Sequence, residues 1–178
     1  MQKRNKHIPS EEECYILLRK YKTPPNVIRH CEVVTKIAKR IASPLKGVNL
    51  ELVVAGAMLH DIGRSVTHSI FHAIEGVKIL KKENISEKVL DIVKKHIGTG
   101  IPKKEAKKLG LPEDDYVPKT IEEEIVSFAD NCSKGENEIS FEEAKKLFAK
   151  KFGHDSYVVK GFERQKNRIN TWKKKHKS

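Results

Sequence analysis

Five polar side chains sit where the helical pattern of the sequence turns them inward: His30, His60, Asp61, His96 and Asp130. Imidazole nitrogens and carboxylate oxygens together suit divalent cations of borderline softness, such as Mn, Fe, Co, Ni or Zn. A single histidine on an apolar stripe has a plainer reading, a core residue satisfied by hydrogen bonds. With 8 His and 6 Asp in the chain, one adjacent His-Asp pair is no surprise either. The conjunction is harder to dismiss, because four separate helices each bring such a group and one of them brings two. Left unpaired in an apolar interior, these groups would cost several kcal/mol of desolvation per charge. A bound divalent cation removes that cost, which makes a metal centre the economical reading.

The elements that must position these groups read as helix after helix. Ser10 and Glu13 form a capping box that opens a helix through about Tyr21, with Cys14, Leu17 and Leu18 on one side. From Asn26 to about Ala42, Val27, Cys31, Val34, Ile37, Ala38 and Ile41 keep the helical period, and His30 shares their stripe. Asn49 caps Leu50 to about Asp61, a run so apolar that this helix should be central. It delivers His60 and Asp61 at its end, where Gly63 is expected to stop the helix in the left-handed conformation. A helix from about Ser69 to Lys82 contains His72, and Ser86 is expected to cap Glu87 to His96. Thr120 with Glu123 makes a second capping box, opening a helix to about Cys132 that carries Asp130. Three glycines and three prolines between Ile97 and Pro118 suggest an extended surface connection, with room for a short helix at Lys103 to Leu109. Two further helices are expected, Phe141 to Phe152 capped by Ser140 and stopped by Gly153, and Ser156 to about Lys174 capped by Asp155. No strand-like alternation is long enough to place a strand. The fold expected is all-α, a helical metal-binding domain over 1–132 with a basic helical extension, 133–178, packed on it.

With these residues in place, the sequence resembles a known family. His30, His60-Asp61 within LHDIGR, and Asp130 within FADN match the H…HD…D pattern of the HD-domain metal-dependent phosphohydrolases. HDIG stands intact at 60–63. Thr67-His68, HAIEG at 72–76, HIGTGI at 96–101 and EAKKLGLPEDDYVPKTIEEEIVSFADN at 105–131 are similar to an archaeal branch of HDIG proteins. The resemblance implies an HD-type helical bundle in which His30, His60, Asp61 and Asp130 ligate a first metal. His72 and His96 fit the places that hold a second ion in two-metal members, with Asp61 bridging both. The alternative for His72 is a mononuclear site in which it binds substrate. The activity implied is hydrolysis of a phosphomonoester or phosphodiester of a nucleotide or other small phosphate ester, by water that one or two divalent ions activate. Asp61 would orient that water. Arg64 would neutralise phosphate charge, or form a surface salt bridge. His68 would donate a proton or hydrogen bond to the leaving oxygen, or support a ligand from outside. Lys119 is a further phosphate contact, or a solvated lysine. The GYP segment of cyclic-dinucleotide phosphodiesterases in the same superfamily is absent after His96.

Composition narrows the rivals. A chain of 178 residues suits one domain with a real core. No stretch approaches the roughly eighteen apolar residues of a membrane span. The basic start MQKRNKHIPSEEE lacks the apolar centre of a secretory signal, so a cytoplasmic protein is expected. Cys14, Cys31 and Cys132, without CxxC spacing, read as buried free thiols. No GxGxxG, GxxxxGK[ST] or GxSxG occurs, which disfavours nucleotide-fold enzymes and serine hydrolases. The formal charge is +12, and residues 133–178 carry 13 basic against 6 acidic side chains. Nucleic-acid contact by that tail is the lesser reading beside a solvated surface. Two other functions stay open: a di-iron oxygenase using the same ligands, and a non-catalytic helical module that binds RNA or a partner.

Overall fold

In the computed structural model, α3 (Leu50–Leu59) is the centre of the molecule: every residue from Leu52 to Leu59 is buried. A helix apolar all round leaves no face for solvent and must be wrapped by others. α1 (Glu11–Lys20), α2 (Pro25–Ala42), α5 (Glu87–Lys95) and α7 (Ile121–Asn131) do so. Each turns its apolar stripe to α3, for example Val34, Ile37 and Ala38 of α2 and Val89, Ile92 and Val93 of α5. The description covers residues 6–176, so the first five residues of the basic N-terminal stretch, and Lys177 of the C-terminal lysine run, lie outside it.

The start signals read from the sequence mostly form. At α1 the Glu13 amide donates to Ser10 Oγ at 3.2 Å, and the Ser10 amide donates to Glu13 Oε2 at 2.7 Å. α7 carries the same reciprocal pair between Thr120 and Glu123. Two caps differ. Ser86 precedes α5, but its side chain makes no capping bond. α9 (Tyr157–Lys175) is capped by Ser156, whose Oγ accepts from the Val159 amide, and Asp155 stays exposed. α4 (His72–Lys82) begins three residues later than expected, because residues 69–71 form a turn.

Two segments depart further from expectation. Residues 97–118 hold the expected short helix, α6 (Lys103–Lys108), but are not a bare surface connection: Ile101, Ala106, Leu111 and Tyr116 bury a small core of their own around it. Ile101 and Tyr116 exchange backbone hydrogen bonds at 3.3 and 3.0 Å. A two-stranded hairpin, β1 (Ser133–Lys134) and β2 (Asn137–Glu138), follows α7 directly. Gly135, with φ +60°, makes its turn, a conformation glycine adopts without steric cost. Arg29 and Arg40 of α2 pin the hairpin through ion pairs to Glu136 and Glu138.

α8 (Phe141–Phe152) and α9 close the structure. Phe162 of α9 is fully buried among Phe128, Phe141 and Phe148, with centroids 4.7 to 5.3 Å away. Further along α9, Ile169 joins the main core. The three cysteines are buried and unpaired. Among the described residues, no helix is long and apolar enough to cross a membrane.

Candidate metal centre

Six side chains expected at the site meet in one place. His30 lies in the first half of α2, His60 and Asp61 just beyond α3, His72 at the first position of α4, His96 just beyond α5, and Asp130 near the end of α7. His30 Nε2 stands 3.2 Å from His60 Nε2, 3.0 Å from Asp130 Oδ1 and 3.8 Å from Asp61 Oδ2. His60 Nε2 is 3.7 Å from both carboxylates. On the other side, Asp61 Oδ1 is 3.1 Å from His72 Nε2 and 3.5 Å from His96 Nε2, and these two nitrogens are 3.1 Å apart. The two oxygens of Asp61 thus face two separate donor sets. His30, His60 and Asp130 offer ligand atoms all within 4.8 Å of one another, as do His60, Asp61 and His96. Donors about 2.0 to 2.2 Å from one tetrahedral cation are separated by roughly 3.3 to 3.6 Å, close to the spacings observed.

The imidazole orientations make the fit chemical as well as spatial. Every one of the four rings has its Nδ1 against a backbone carbonyl: His30 on Gly135 at 2.8 Å, and His60 on Ala57, His72 on Ser69 and His96 on Val93 at 2.7 Å. A carbonyl only accepts, so each Nδ1 carries the proton, and in the neutral ring Nε2 is a bare lone pair. With the four rings neutral, four lone pairs and two carboxylates converge. The Arg64 guanidinium, donating through Nε to Asp61 Oδ2 at 2.5 Å, is the one fixed donor reaching them. Asp61 Oδ1 is buried without a hydrogen-bond partner. An orphaned buried carboxylate oxygen facing two imidazole lone pairs fits a cation.

Glycines set this geometry, though not as expected. Gly63 does not take the left-handed conformation. It lies within a short 3₁₀ turn, Ile62–Ser65, that continues the chain beyond α3. A Cβ there would lie 1.9 Å from the His72 carbonyl oxygen and 2.5 Å from the Gly76 nitrogen. The missing side chain lets the first turn of α4 rest directly on the 3₁₀ turn, which carries His72 over Asp61. Gly76, four residues after His72, completes that close approach.

Charge is distributed unevenly among the groups. Burial opposes a charged His30, but the Asp130 carboxylate outweighs it and lifts the ring to about 9, so without an ion Nε2 keeps a proton that a cation would displace. Burial dominates at His60 and pulls it down to about 4. Burial also favours a neutral Asp61, yet when His60, His72 and His96 carry a proton on Nε2 their charge and hydrogen bonds hold it well below the usual carboxylate range. Burial, then the Asp61 charge, raise the neighbouring Cys31 thiol well above its ordinary value.

A cleft of about 550 Å³ opens beside His30 and Asp61. Arg64 and His68 line it with Asn26, Lys134 and Asn137. His68 is exposed, and its carbonyl accepts from Arg64 Nη1 at 3.3 Å. Lys119 lies elsewhere, on a different cleft at the start of α7. Sequence reasoning missed the hairpin wall and the Gly135 carbonyl, since two-residue strands carry no readable period. It also missed a buried polar cluster behind His96. Ser127 Oγ and Asn131 Nδ2 donate to the Gly98 carbonyl at 2.8 and 2.6 Å. Gln165 of α9 donates to Ser127 Oγ at 2.8 Å and accepts from Asn131 at 3.2 Å. A glutamine interrupting the apolar stripe of α9 was the available signal.

Comparison with known proteins agrees with this geometry. The profile of the HD domain family matches residues 27–135, well over half of the chain. An uncharacterized protein of Methanocaldococcus jannaschii is 42% identical over 139 residues, covering 76% of this chain and 82% of that one. A tRNA (cytidine(56)-2'-O)-methyltransferase of Picrophilus torridus is 45% identical over 151 residues, 85% of this chain but 44% of its own length. The chain thus spans about half the length of the methyltransferase relatives it matches. Among solved structures, the HD domain of the L. monocytogenes phosphodiesterase PgpH superposes with a TM-score of 0.54 at 19% identity, covering 87% of this chain and 95% of that one. At that identity the likeness is one of fold. Family profile, relatives and the converging H…HD…D residues agree: this chain belongs to the HD-domain superfamily of metal-dependent phosphohydrolases, on a branch shared with archaeal proteins.

Proposed function

We propose that this chain hydrolyses a phosphate ester of a nucleotide, using one or two divalent ions held by His30, His60, Asp61, Asp130, His72 and His96. The observation that carries this reading is the set of four histidines whose Nδ1 protons are tied to carbonyls, so that in the neutral rings the Nε2 lone pairs and two carboxylates meet with one fixed donor, Arg64, among them. His30, His60, Asp61 and Asp130 would hold the first ion, and His72 and His96 with the second oxygen of Asp61 the other. A bound divalent cation supplies Lewis acidity, neutralising phosphoryl oxygens and lowering the pKa of water. Asp61 stands between the two donor sets and orients the attacking water. Arg64, held by Asp61, turns its guanidinium toward the cleft, where it balances phosphate charge. His68 at the rim reaches the leaving oxygen and hands it a proton.

The nucleotide assignment draws on relatives. A second solved structure of the PgpH HD domain is a complex with cyclic-di-AMP, and Ribonuclease Y of Thermosipho melanesiensis is 38% identical over 79 residues. Both names describe phosphodiester chemistry. The cleft volume also suits a nucleotide-sized ligand. Methyl transfer belongs to relatives about twice as long and is not assigned to this chain. We place the reaction in the cytoplasm, as three unpaired buried thiols are those of a reducing compartment.

The test couples elemental analysis of the purified protein to a screen of nucleoside mono-, di-, tri- and cyclic phosphates. Metal-dependent phosphate release is expected, and Asp61→Ala should abolish it together with most of the bound metal. Full activity in Asp61→Ala would overturn the site. His72→Ala should lose about half the metal if two ions are bound, and unchanged stoichiometry would mean one.

A further inference from the structure

A second cleft, of about 640 Å³, lies between the start of α7 and the C-terminal half of α9 and shares no residue with the cleft at the metal centre. Its α9 wall consists of Arg164, Asn167, Arg168, Thr171, Trp172 and Lys175. Their spacing of three, four, seven, eight and eleven residues places them on one helical face. At 1.5 Å per residue that face runs for roughly 16 Å. It holds three cations, an amide, a hydroxyl and an indole, and no acid.

The groups differ in how far they are already committed. Arg168 is anchored, pairing with Glu124 and donating to the Lys119 carbonyl at 3.2 Å. Trp172 is anchored as well: Nε1 donates to the Lys46 carbonyl at 3.1 Å, and the ring stacks on His176 at 4.4 Å. Elsewhere on α9, Lys160 lies near Asp155 and Lys166 near Glu142, while Lys173 and Lys174 are exposed and form no ion pair among the described residues. Arg164 and Lys175 are exposed at the two ends of the stripe and form no close ion pair among the described residues, although the Arg164 charge is felt by Glu124. Between them stand Asn167 and Thr171, both exposed hydrogen-bonding groups.

We propose that this stripe is a binding surface for single-stranded or looped RNA, with Arg164 and Lys175 on backbone phosphates and Asn167, Thr171 and Trp172 on the nucleotides between. Cations along one helix face track a phosphate backbone, and an adjacent rigid aromatic suits unpaired bases. Charge complementarity favours a polyanion, since the surplus of the whole chain is concentrated in this C-terminal part. The length of the stripe and its alternation of cations with uncharged donors favour a chain of nucleotides over a single small anion. The surface goes beyond the hydrolytic reading and stands apart from the metal centre.

The test measures binding of a fluorescent, unstructured RNA of roughly 15 nucleotides to the full chain by anisotropy, across a salt series. Chelator is present, so hydrolysis plays no part and failure here leaves the phosphohydrolase reading standing. Each phosphate contact to a single strand contributes about 0.7 to the salt slope. Arg164→Gln with Lys175→Gln should therefore make the slope shallower by about 1.4 and weaken binding roughly 25-fold at 0.1 M salt. Lys81→Gln with Lys82→Gln, an exposed pair at the end of α4, is the control and should stay within about twofold of wild type. Thermal melts of both double variants verify folding. Equal weakening by the two pairs, an unchanged slope in the first, or displacement of the RNA by polyglutamate as readily as by unlabelled RNA would overturn the proposal.

Discussion

Gly63 matters for the space it leaves. With the His72 carbonyl only 1.9 Å from where a Cβ would stand, Gly63→Ala forces α4 away from the 3₁₀ turn and withdraws His72 from Asp61. Overpacking against backbone cannot be absorbed by a side-chain rotation, so a loss of about 3 kcal/mol is expected, with bound metal reduced at the His72 and His96 side. Thermal melts and metal analysis of Gly63→Ala check both. At this scale the sequence was legible for which side chains converge: His30, His60, Asp61, His96 and Asp130 were readable because polar groups interrupt apolar helical stripes. The role of Gly63 was not, because it depends on a contact with an element whose approach no local pattern reports. The Nδ1 partners were hidden for a related reason. Three are carbonyls three residues back, but that of His30 lies 105 residues away.

Helices were legible where a capping residue and an apolar stripe coincide, as in α1 and α7, and α2 was legible from its stripe alone. The 97–118 segment was misread because its Gly and Pro residues mask apolar positions too widely spaced to show a period, and the hairpin is too short to show one at all. α9 reads from sequence as a basic extension, yet it reaches the back of the metal centre through Gln165. Gln165→Leu keeps the volume but removes partners from Ser127 and Asn131. Leaving buried polar groups short of partners costs about 1 to 3 kcal/mol, and the turn after His96 loses its support. The expected result is weaker binding of one ion with the other unchanged, read by metal titration; equal loss of both ions would mean general destabilisation. A second tie joins α1 to the end of α4, where Lys20 and Tyr21 hold Glu83 at 2.7 and 2.5 Å. Hydrogen bonds from Lys20 and then Tyr21 lower the Glu83 pKa below its ordinary 4.5. A depressed carboxylate stabilises the fold above its unfolded pKa, and that stability is lost as pH falls through the folded value. Glu83→Gln should thus lower the melting temperature slightly at pH 7, by the equivalent of at most about 1 kcal/mol, with the difference from wild type shrinking in acid below 4.5.

For the whole molecule, the six candidate ligands come from segments spread between residues 30 and 130, so an ion would tie α2, α3, α4, α5 and α7 together. A ligand that binds only the folded chain stabilises it by mass action. At about 100 times its Kd the gain is roughly 2.7 kcal/mol, which for a domain of this size is a rise of roughly 5 to 11 °C in Tm. Scanning the chelated protein with and without Mn, Fe, Co, Ni and Zn should reveal that rise and rank the metals. No rise with any of them would contradict the centre. The Gly135 carbonyl adds a consequence in time. During translation the ring of His30 leaves the ribosome long before the hairpin that sets its proton, by a span of 105 residues. A nascent chain therefore carries most of its donors yet lacks their final arrangement. The six candidate ligands can therefore assemble only after Asp130 and the hairpin have both been made.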